Sequence, residues 1–132
     1  MSPRELVERF YSEIWNRGDE KAAYDLLDPD LVFRGSLGIE RRGVQGFLDY
    51  ARSIRAALAD YRCAIEDLVV SGDRAAARMT FSGVHRGRFL GVDPTGKPVS
   101  WAGAAFFKTK GGRIFELWVL GDLDALKRQL RG

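Results

Sequence analysis

Few side chains in this chain could act as an acid or a base in a protected site. His85 is the only histidine, so any imidazole base would have to be His85. It stands at the end of a predicted strand beside a glycine-rich loop, where it could transfer protons or simply anchor the loop through a backbone hydrogen bond. Asp122 follows the last predicted strand and could reach back as a base, although its position before a helix is also typical of an N-cap. His85 and Asp122 are therefore the two candidate catalytic residues, each with a structural alternative.

The chain offers little for metal or disulfide chemistry. Cys63 is the only cysteine, which excludes an intrachain disulfide and a cysteine metal cluster. The acidic residues within 28–30 and 122–124 have no histidine or cysteine partners, and capping at helix boundaries explains them. We therefore predict no metal site.

Composition and charge narrow the classes of partner. The 132 residues, 45% of them hydrophobic and 30% charged, suit a single domain spanning 1–132. The net charge is +3, but the arginines are scattered among acids, so we expect no nucleic-acid partner, which would need a basic stripe with interleaved aromatics. No apolar run approaches the ~20 residues that cross a bilayer, and the N-terminus shows no signal-peptide pattern. We therefore expect no membrane association and a cytoplasmic location.

The hydrophobic pattern changes period halfway along the chain. Leu6, Phe10 and Ile14 recur at four-residue spacing and predict a helix over 3–17. Further helices are predicted over 19–27 and 44–58, with a short strand over 31–34 and a loop over 35–42. Longer strands follow over 61–70, 74–84, 99–108 and 113–120, and Asp122 caps a C-terminal helix. This order predicts an α+β fold in which three N-terminal helices pack on one face of a curved, mostly antiparallel sheet.

The last predicted strand is apolar on both faces. One face carries Ile114, Trp118 and Leu120, and the other carries Phe115, Leu117 and Val119. A solvent-facing antiparallel strand would be polar on one side, so both faces should be covered. The helices can cover one face, and a second copy of the chain is the simplest cover for the other. The sequence therefore predicts a homodimer through the outer sheet face.

Six segments, in the same order, resemble the SnoaL-like polyketide cyclase family within the nuclear transport factor two-like superfamily. The most specific is Gly-Val-His-Arg-Gly-Arg-Phe-Leu-Gly-Val-Asp-Pro-Thr-Gly-Lys at 83–97. The others lie at 10–19, 26–32, 65–74, 112–118 and 129–130. The resemblance implies a cone-shaped sheet, an α+β barrel, with a pocket between its concave face and the helices. It also implies ring closure by intramolecular aldol condensation, for which no cofactor is needed.

The same resemblance locates the site. The family's acid–base aspartate directly follows the tryptophan of the last strand, and a histidine lies fourteen positions earlier; the matching positions here are Val119 and Ala105. The chain thus lacks both polar groups, which predicts an apolar, partly widened pocket. The residues expected to contact substrate are Tyr11, Trp15, Arg34, Tyr50, Trp101, Ala105, Phe115, Leu117 and Val119.

Each polar or aromatic candidate has an expected role. Tyr11 could donate a hydrogen bond to a ligand carbonyl and Trp15 could stack on a flat ring, with core packing as the alternative for both. Tyr50 has the same status. Arg34 could bind a carboxylate or an enolate, with an ordinary surface position as the alternative.

The favoured function is cyclisation or isomerisation of a hydrophobic, polyketide-like substrate, in which the pocket folds the substrate into a reactive conformer. Two alternatives stay open. One is a non-catalytic small-molecule-binding or accessory protein. The other is an epoxide hydrolase of the same fold, which would need aspartate, arginine and asparagine together, and Asn16 is the only asparagine.

Overall fold

The computed structural model describes all residues, 1–132, and begins with helices that start where the sequence supplies caps. Helix α1 (Pro3–Arg9) is capped by Ser2, whose hydroxyl accepts the backbone N–H of Glu5 at 3.2 Å. Helix α2 (Glu20–Leu26) is capped by Asp19. Helix α3 spans Gly43–Ala57, and α4 (Leu123–Arg131) follows the cap at Asp122. These helices confirm the sequence prediction, and none is long and apolar enough to cross a membrane.

The first predicted helix differs from expectation in its second half. After α1 the chain continues as a π-helical segment, π1 (Phe10–Asn16), in which Phe10, Tyr11, Ile14 and Trp15 are all buried. The guanidinium of Arg55 on α3 donates to the backbone carbonyls of Ile14 and Trp15, which satisfies acceptors near the end of π1. Segments of π-helix are rare and are frequent at functional sites. The wide turn places four large side chains on the inner side of the helix.

Six strands form one mixed sheet in the order β2-β1-β6-β5-β4-β3. The strands are β1 (Leu27–Arg34), β2 (Glu40–Arg42), β3 (Leu58–Ser71), β4 (Arg74–His85), β5 (Pro98–Lys110) and β6 (Arg113–Gly121). All neighbours are antiparallel except β1 and β6, which pair in parallel. The α+β prediction is confirmed. The short strand β2 was expected to be loop, because its three exposed charged residues carry no strand pattern.

Irregular pairing bends the sheet around the helices. The β3–β4 register shifts between Ala59 and Arg62 and again between Ile65 and Asp67. Such bulges bend a strand and increase its twist. The concave face and the helices enclose one hydrophobic cluster of 35 buried residues, so helices and sheet share a single core.

A third bulge corrects the predicted faces of β6. Lys108 pairs with Glu116 while Thr109 pairs with Ile114, so Phe115 is an extra residue opposite the β5 ladder. An extra residue reverses the alternation of faces beyond it. Ile114, expected outside, is therefore fully buried, and Phe115, expected in the pocket, is only half-buried with the Lys110 ammonium 5.8 Å from its ring centroid.

The outer face of the sheet carries exposed apolar side chains. We call Val69, Phe106, Trp118 and Leu120 the outer patch; they are 60%, 51%, 42% and 50% exposed, respectively. Phe106 pairs directly with Trp118, and their ring centroids lie 5.9 Å apart. This face has no cover within the chain.

Candidate functional site

An interior cavity lies between π1, α3 and the concave face of the sheet. Its lining residues are Phe10, Tyr11, Trp15, Phe33, Ser36, Tyr50, Tyr61, Cys63, Phe81, Leu117 and Val119. The free space is about 20 Å³, room for about one water molecule. The prediction of a widened pocket is therefore wrong for this conformation, because aromatic rings fill the space beside small residues of the sheet. One example is Phe81, whose ring lies so close over Gly103 that a Cβ at that glycine would overlap it.

The π-helical segment supplies one wall of the cavity. Tyr11 packs edge-on against Phe10 at 4.9 Å and Phe107 at 6.0 Å between ring centroids. The ring centroids of Trp15 and Tyr61 lie 5.3 Å apart, and the Arg55 guanidinium lies 5.6 Å from the Trp15 ring centroid. Both predicted residues line the cavity, and their role in binding stays a prediction.

Tyr50 reaches the cavity from α3. Its ring packs against Phe33 at 5.1 Å and Trp15 at 6.3 Å between centroids. The end of the ring lies over Gly35, where any Cβ would collide with the phenol. Glycine at 35 therefore allows the Tyr50 hydroxyl to sit beside the loop that follows β1, close to Ser36.

Sequence reasoning missed the contribution of β3 and of the loop after β1. Tyr61 and Cys63 on β3 line the cavity, as do Ser36, Phe33 and Phe81. Tyr61 and Cys63 alternate along the strand, which indicates that they share one face of the sheet. The bulge between Ala59 and Arg62 prevents the sequence from showing which face this is. The amide of Asn16 makes two hydrogen bonds with the backbone of Cys63 and so fixes this part of β3 against π1.

The polar groups around the cavity are neutral hydrogen-bond donors. Burial raises the pKa of Tyr11 and that of Tyr61 well above 10.0. Burial also raises the pKa of Tyr50, although hydrogen bonding to Ser36 opposes the shift. Burial raises the pKa of the Cys63 thiol to about 12. No carboxylate or imidazole is among the lining residues, so the cavity can donate hydrogen bonds but holds no base of its own.

The structure places His85 outside the cavity lining. The residue is fully buried, and its Nδ1 accepts the Thr95 N–H at 3.3 Å and lies 3.1 Å from the Thr95 hydroxyl. Its backbone N–H and C=O bond Lys97 and Gly96. His85 therefore anchors the loop over 86–97, which was the structural alternative, because the end of β4 lies under that loop.

Asp122 and Arg34 also have structural positions away from the cavity. Asp122 is exposed and accepts the Ala125 N–H at 3.1 Å as the cap of α4. Arg34 pairs with Trp118 across the β1–β6 ladder, so it lies on the outer face, with its guanidinium 4.9 Å from the Trp118 ring centroid. It donates to the backbone carbonyl of Val119. Neither residue is positioned to meet a ligand in the cavity.

The remaining predicted residues divide between the cavity and its surroundings. Leu117 and Val119 line it. Ala105, which pairs with Val119, is fully buried behind them. Trp101 packs against Tyr61 at 6.1 Å and Phe81 at 5.6 Å between centroids, at the edge of the cavity. Phe115 is outside because of the bulge in β6.

A thin wall separates the cavity from the surface. Trp15 and Tyr61 line both the cavity and an open depression of about 350 Å³ on the outside of the molecule. Next to Tyr61, Asp60 has a φ of 53°, a left-handed conformation that is strained for a residue other than glycine. The wall therefore adjoins an irregular, bulged part of β3.

The match to a protein family covers almost the whole chain. The model of the SnoaL-like polyketide cyclase family matches residues 5–130, and the chain belongs to this family. No curated protein matches the chain.

Solved structures of similar proteins share the fold. Wild-type IdmH from Streptomyces antibioticus, a proposed polyketide cyclase, is 28% identical with a TM-score of 0.88, and the match covers 100% of both chains. TsrD from Streptomyces laurentii is 32% identical with a TM-score of 0.84, over 96% of this chain and 92% of that one. AclR from Streptomyces galilaeus, a proposed hydroxylase, is 26% identical with a TM-score of 0.83, over 98% of this chain and 95% of that one. IdmH and AclR carry different proposed activities on one fold, so the function has to be argued from the cavity.

Proposed function

We propose that the interior cavity binds a hydrophobic, polyketide-like small molecule with a carbonyl oxygen and promotes its cyclisation or isomerisation without a cofactor. The observation that carries the proposal is the set of neutral donors, Tyr11, Tyr50 and Tyr61, around an otherwise apolar space. Membership of the SnoaL-like family supports the substrate class.

The chemistry follows from what the cavity offers. A phenol hydrogen-bonded to a ligand carbonyl stabilises the negative charge that develops on oxygen when the neighbouring carbon loses a proton. No base lines the interior cavity, and the Asp60 carboxylate lines only the depression outside it, so that proton passes to water. The apolar walls hold the chain of the substrate in a folded conformer, so that the enolate carbon lies near the carbonyl it attacks.

Binding requires the cavity to open. A space of about 20 Å³ cannot hold such a ligand, whereas the depression outside the Trp15–Tyr61 wall has about 350 Å³. We propose that Tyr61 swings outward about the strained backbone at Asp60. The ligand would then occupy the joined space, with the phenol of Tyr11 at its inner end.

Binding without turnover is the second candidate, because the cavity lacks an acid–base residue. An epoxide hydrolase is less well supported, since both ends of the Asn16 amide are occupied by the backbone of Cys63. Exchange of the α-protons of 1-tetralone in heavy water, followed by NMR, separates turnover from binding.

An enzyme of the proposed kind should speed this exchange above the buffer rate, and Tyr11→Phe should slow it about tenfold or more, the effect of one oxyanion donor being up to ~10²–10³. Tyr24→Phe is the matched control, because Tyr24 is an exposed phenol on α2, outside the cavity. Binding with exchange at the buffer rate would instead establish the non-catalytic alternative.

We also propose that the whole chain acts as one domain and forms a homodimer through the outer patch. The exposure of Phe106, Trp118 and Leu120 on an uncovered sheet face supports this. Sedimentation equilibrium should give twice the chain mass of 14.8 kDa. Leu120→Lys should give the monomer, while Tyr24→Lys, at an exposed aromatic away from the sheet, should leave the dimer intact. A monomeric wild type at ~100 μM, well above the Kd of a stable dimer, would refute the dimer.

A further inference from the structure

The indole N–H of Trp101 is buried and has no hydrogen-bond partner. A buried donor without a partner is uncommon in native proteins and needs an explanation. One other buried side-chain atom, His85 Nε2, has no hydrogen-bond partner, but His85 holds the loop over 86–97 and does not line the cavity. Trp101 is 3% exposed, so water from outside does not satisfy it.

The position of this N–H follows from a glycine on the neighbouring strand. A Cβ at Gly121 would lie 3.0 Å from Trp101 Nε1 and 3.0 Å from the Cβ of Ser36. The indole nitrogen and Ser36 therefore face one another across the space that the missing side chain leaves. Ser36 lines the interior cavity and is itself buried, 7% exposed. The donor thus adjoins the cavity at its Ser36 corner.

The indole is held in this orientation by its packing. Phe81 lines the cavity and its ring centroid lies 5.6 Å from that of Trp101, whereas Tyr61, at 6.1 Å, is the ring proposed to swing outward. The Phe81 ring lies so close to Gly103 that a Cβ at this position would overlap it. The packing of Phe81 against Trp101 therefore depends on a second glycine of the sheet. A donor fixed in advance loses little freedom when it meets an acceptor.

We propose that the Trp101 N–H binds a carbonyl oxygen of the ligand at this corner, beside Ser36. The inference rests on the proposed function, since it assigns a subsite within the same cavity. The ligand class it names is a neutral molecule with an acceptor oxygen, such as a ketone or a quinone. A carboxylate is disfavoured at this corner, because no cationic side chain lines the interior cavity, whereas Arg17 and Arg55 line only the outer depression.

The test uses the indole N–H signals in a proton–nitrogen correlation spectrum, one for each of the three tryptophans. The probes are 1-tetralone and tetralin, which have the same ring system and differ in the carbonyl oxygen. The Trp101→Phe variant assigns the Trp101 signal. We expect tetralone to move that signal downfield and tetralin to leave it nearly unchanged.

Two variants measure the contribution of the subsite. Trp101→Phe should weaken tetralone about three- to tenfold, the loss of one neutral hydrogen bond, without weakening tetralin. Gly121→Ala should do the same by placing a methyl group in the corner. Gly46→Ala on α3 is the matched control, because the new Cβ meets only atoms of Arg41, the nearest being its Cβ at 3.4 Å.

The outcomes distinguish this inference from the proposed function. If tetralone shifts the methyl signals of Leu117 and Val119 but not the Trp101 indole, the cavity binds ligands and the subsite is refuted. If Trp101→Phe weakens both probes equally, the indole contributes packing only and the subsite is again refuted. If neither probe binds, the cavity is not a ligand site, and both proposals fall.

Discussion

Asn16 ties the two walls of the cavity together, and removing its amide should show how far the site depends on this contact. The Asn16 Nδ2 donates to the Cys63 carbonyl at 3.0 Å, and its Oδ1 accepts the Cys63 N–H at 2.8 Å. Asn16 ends π1, which carries Tyr11 and Trp15, while Cys63 lies on the bulged part of β3. The perturbation is Asn16→Ala.

The expected magnitude follows from the two bonds and their burial. Each hydrogen bond contributes about 1 kcal/mol net, and a buried backbone group left without a partner costs more, about 1–3 kcal/mol. Cys63 is 3% exposed, so water replaces the amide only in part. We therefore expect Asn16→Ala to lower the free energy of unfolding by about 2–3 kcal/mol.

Gln129 provides a matched control. Its amide makes the same pair of hydrogen bonds with the backbone of Ser100, at 2.9 and 2.7 Å, but Ser100 is exposed. Water can satisfy that backbone after Gln129→Ala, so the loss should be about 0.5–1 kcal/mol. The comparison separates the effect of burial from the effect of bond number.

The assay is urea unfolding followed by tryptophan fluorescence. With an m-value of about 1.5 kcal/mol/M, Asn16→Ala should lower the urea midpoint by about 1.3–2 M. It should also weaken tetralone binding, because Tyr61 and Cys63 lose their tie to π1. A loss no larger than that of Gln129→Ala would refute the view that Asn16 holds the cavity walls together.

Three further outcomes test the burial of particular groups. Burial raises the pKa of the Cys63 thiol from 9.0 to about 12, which lowers the fraction of reactive thiolate at pH 8. The folded protein should therefore react with a disulfide reagent about a thousandfold more slowly than the protein unfolded in 6 M guanidinium. Comparable rates would place Cys63 at the surface. The pKa of Tyr61 is higher in the folded protein than its unfolded value of 10.0, so the free energy of unfolding should be retained below pH 10 and fall as the pH rises further. Tyr61→Phe should make this fall less steep. Parallel curves of unfolding free energy against pH for the two proteins would contradict this. His85→Ala should lower the free energy of unfolding by about 2–4 kcal/mol, through lost packing and the lost Thr95 contact, and leave tetralone binding unchanged; a selective loss of binding would return His85 to the site.

The element pattern was predictable because it depends on local signals. Caps at Ser2, Asp19 and Asp122 begin three helices where the sequence places them. The Ser71-Gly72-Asp73 sequence is typical of a hairpin turn, and it joins β3 and β4, which pair antiparallel. Side chains that bond their own neighbouring backbone need no tertiary partner to be recognised.

The faces of the strands were less predictable. A single inserted residue at Phe115 turned Ile114 inward and Phe115 outward, although the composition of β6 was read correctly as apolar. Nothing in the hydrophobic pattern distinguishes a bulge from regular alternation when both faces are apolar. The same difficulty concealed Tyr61 and Cys63, which lie beside bulges in β3.

The sequence by itself determined the family, the order of helices and strands, and the absence of an acid–base pair at Ala105 and Val119. Each of these depends only on residue types and their spacing along the chain. Only the tertiary structure decided which donors surround the cavity and how little space they leave. Tyr61 and Ser36 come from parts of the chain far apart in sequence, and the free space depends on how their side chains and the Phe81 ring pack together. Packing of distant segments has no local signal, because its energy arises only when the segments meet.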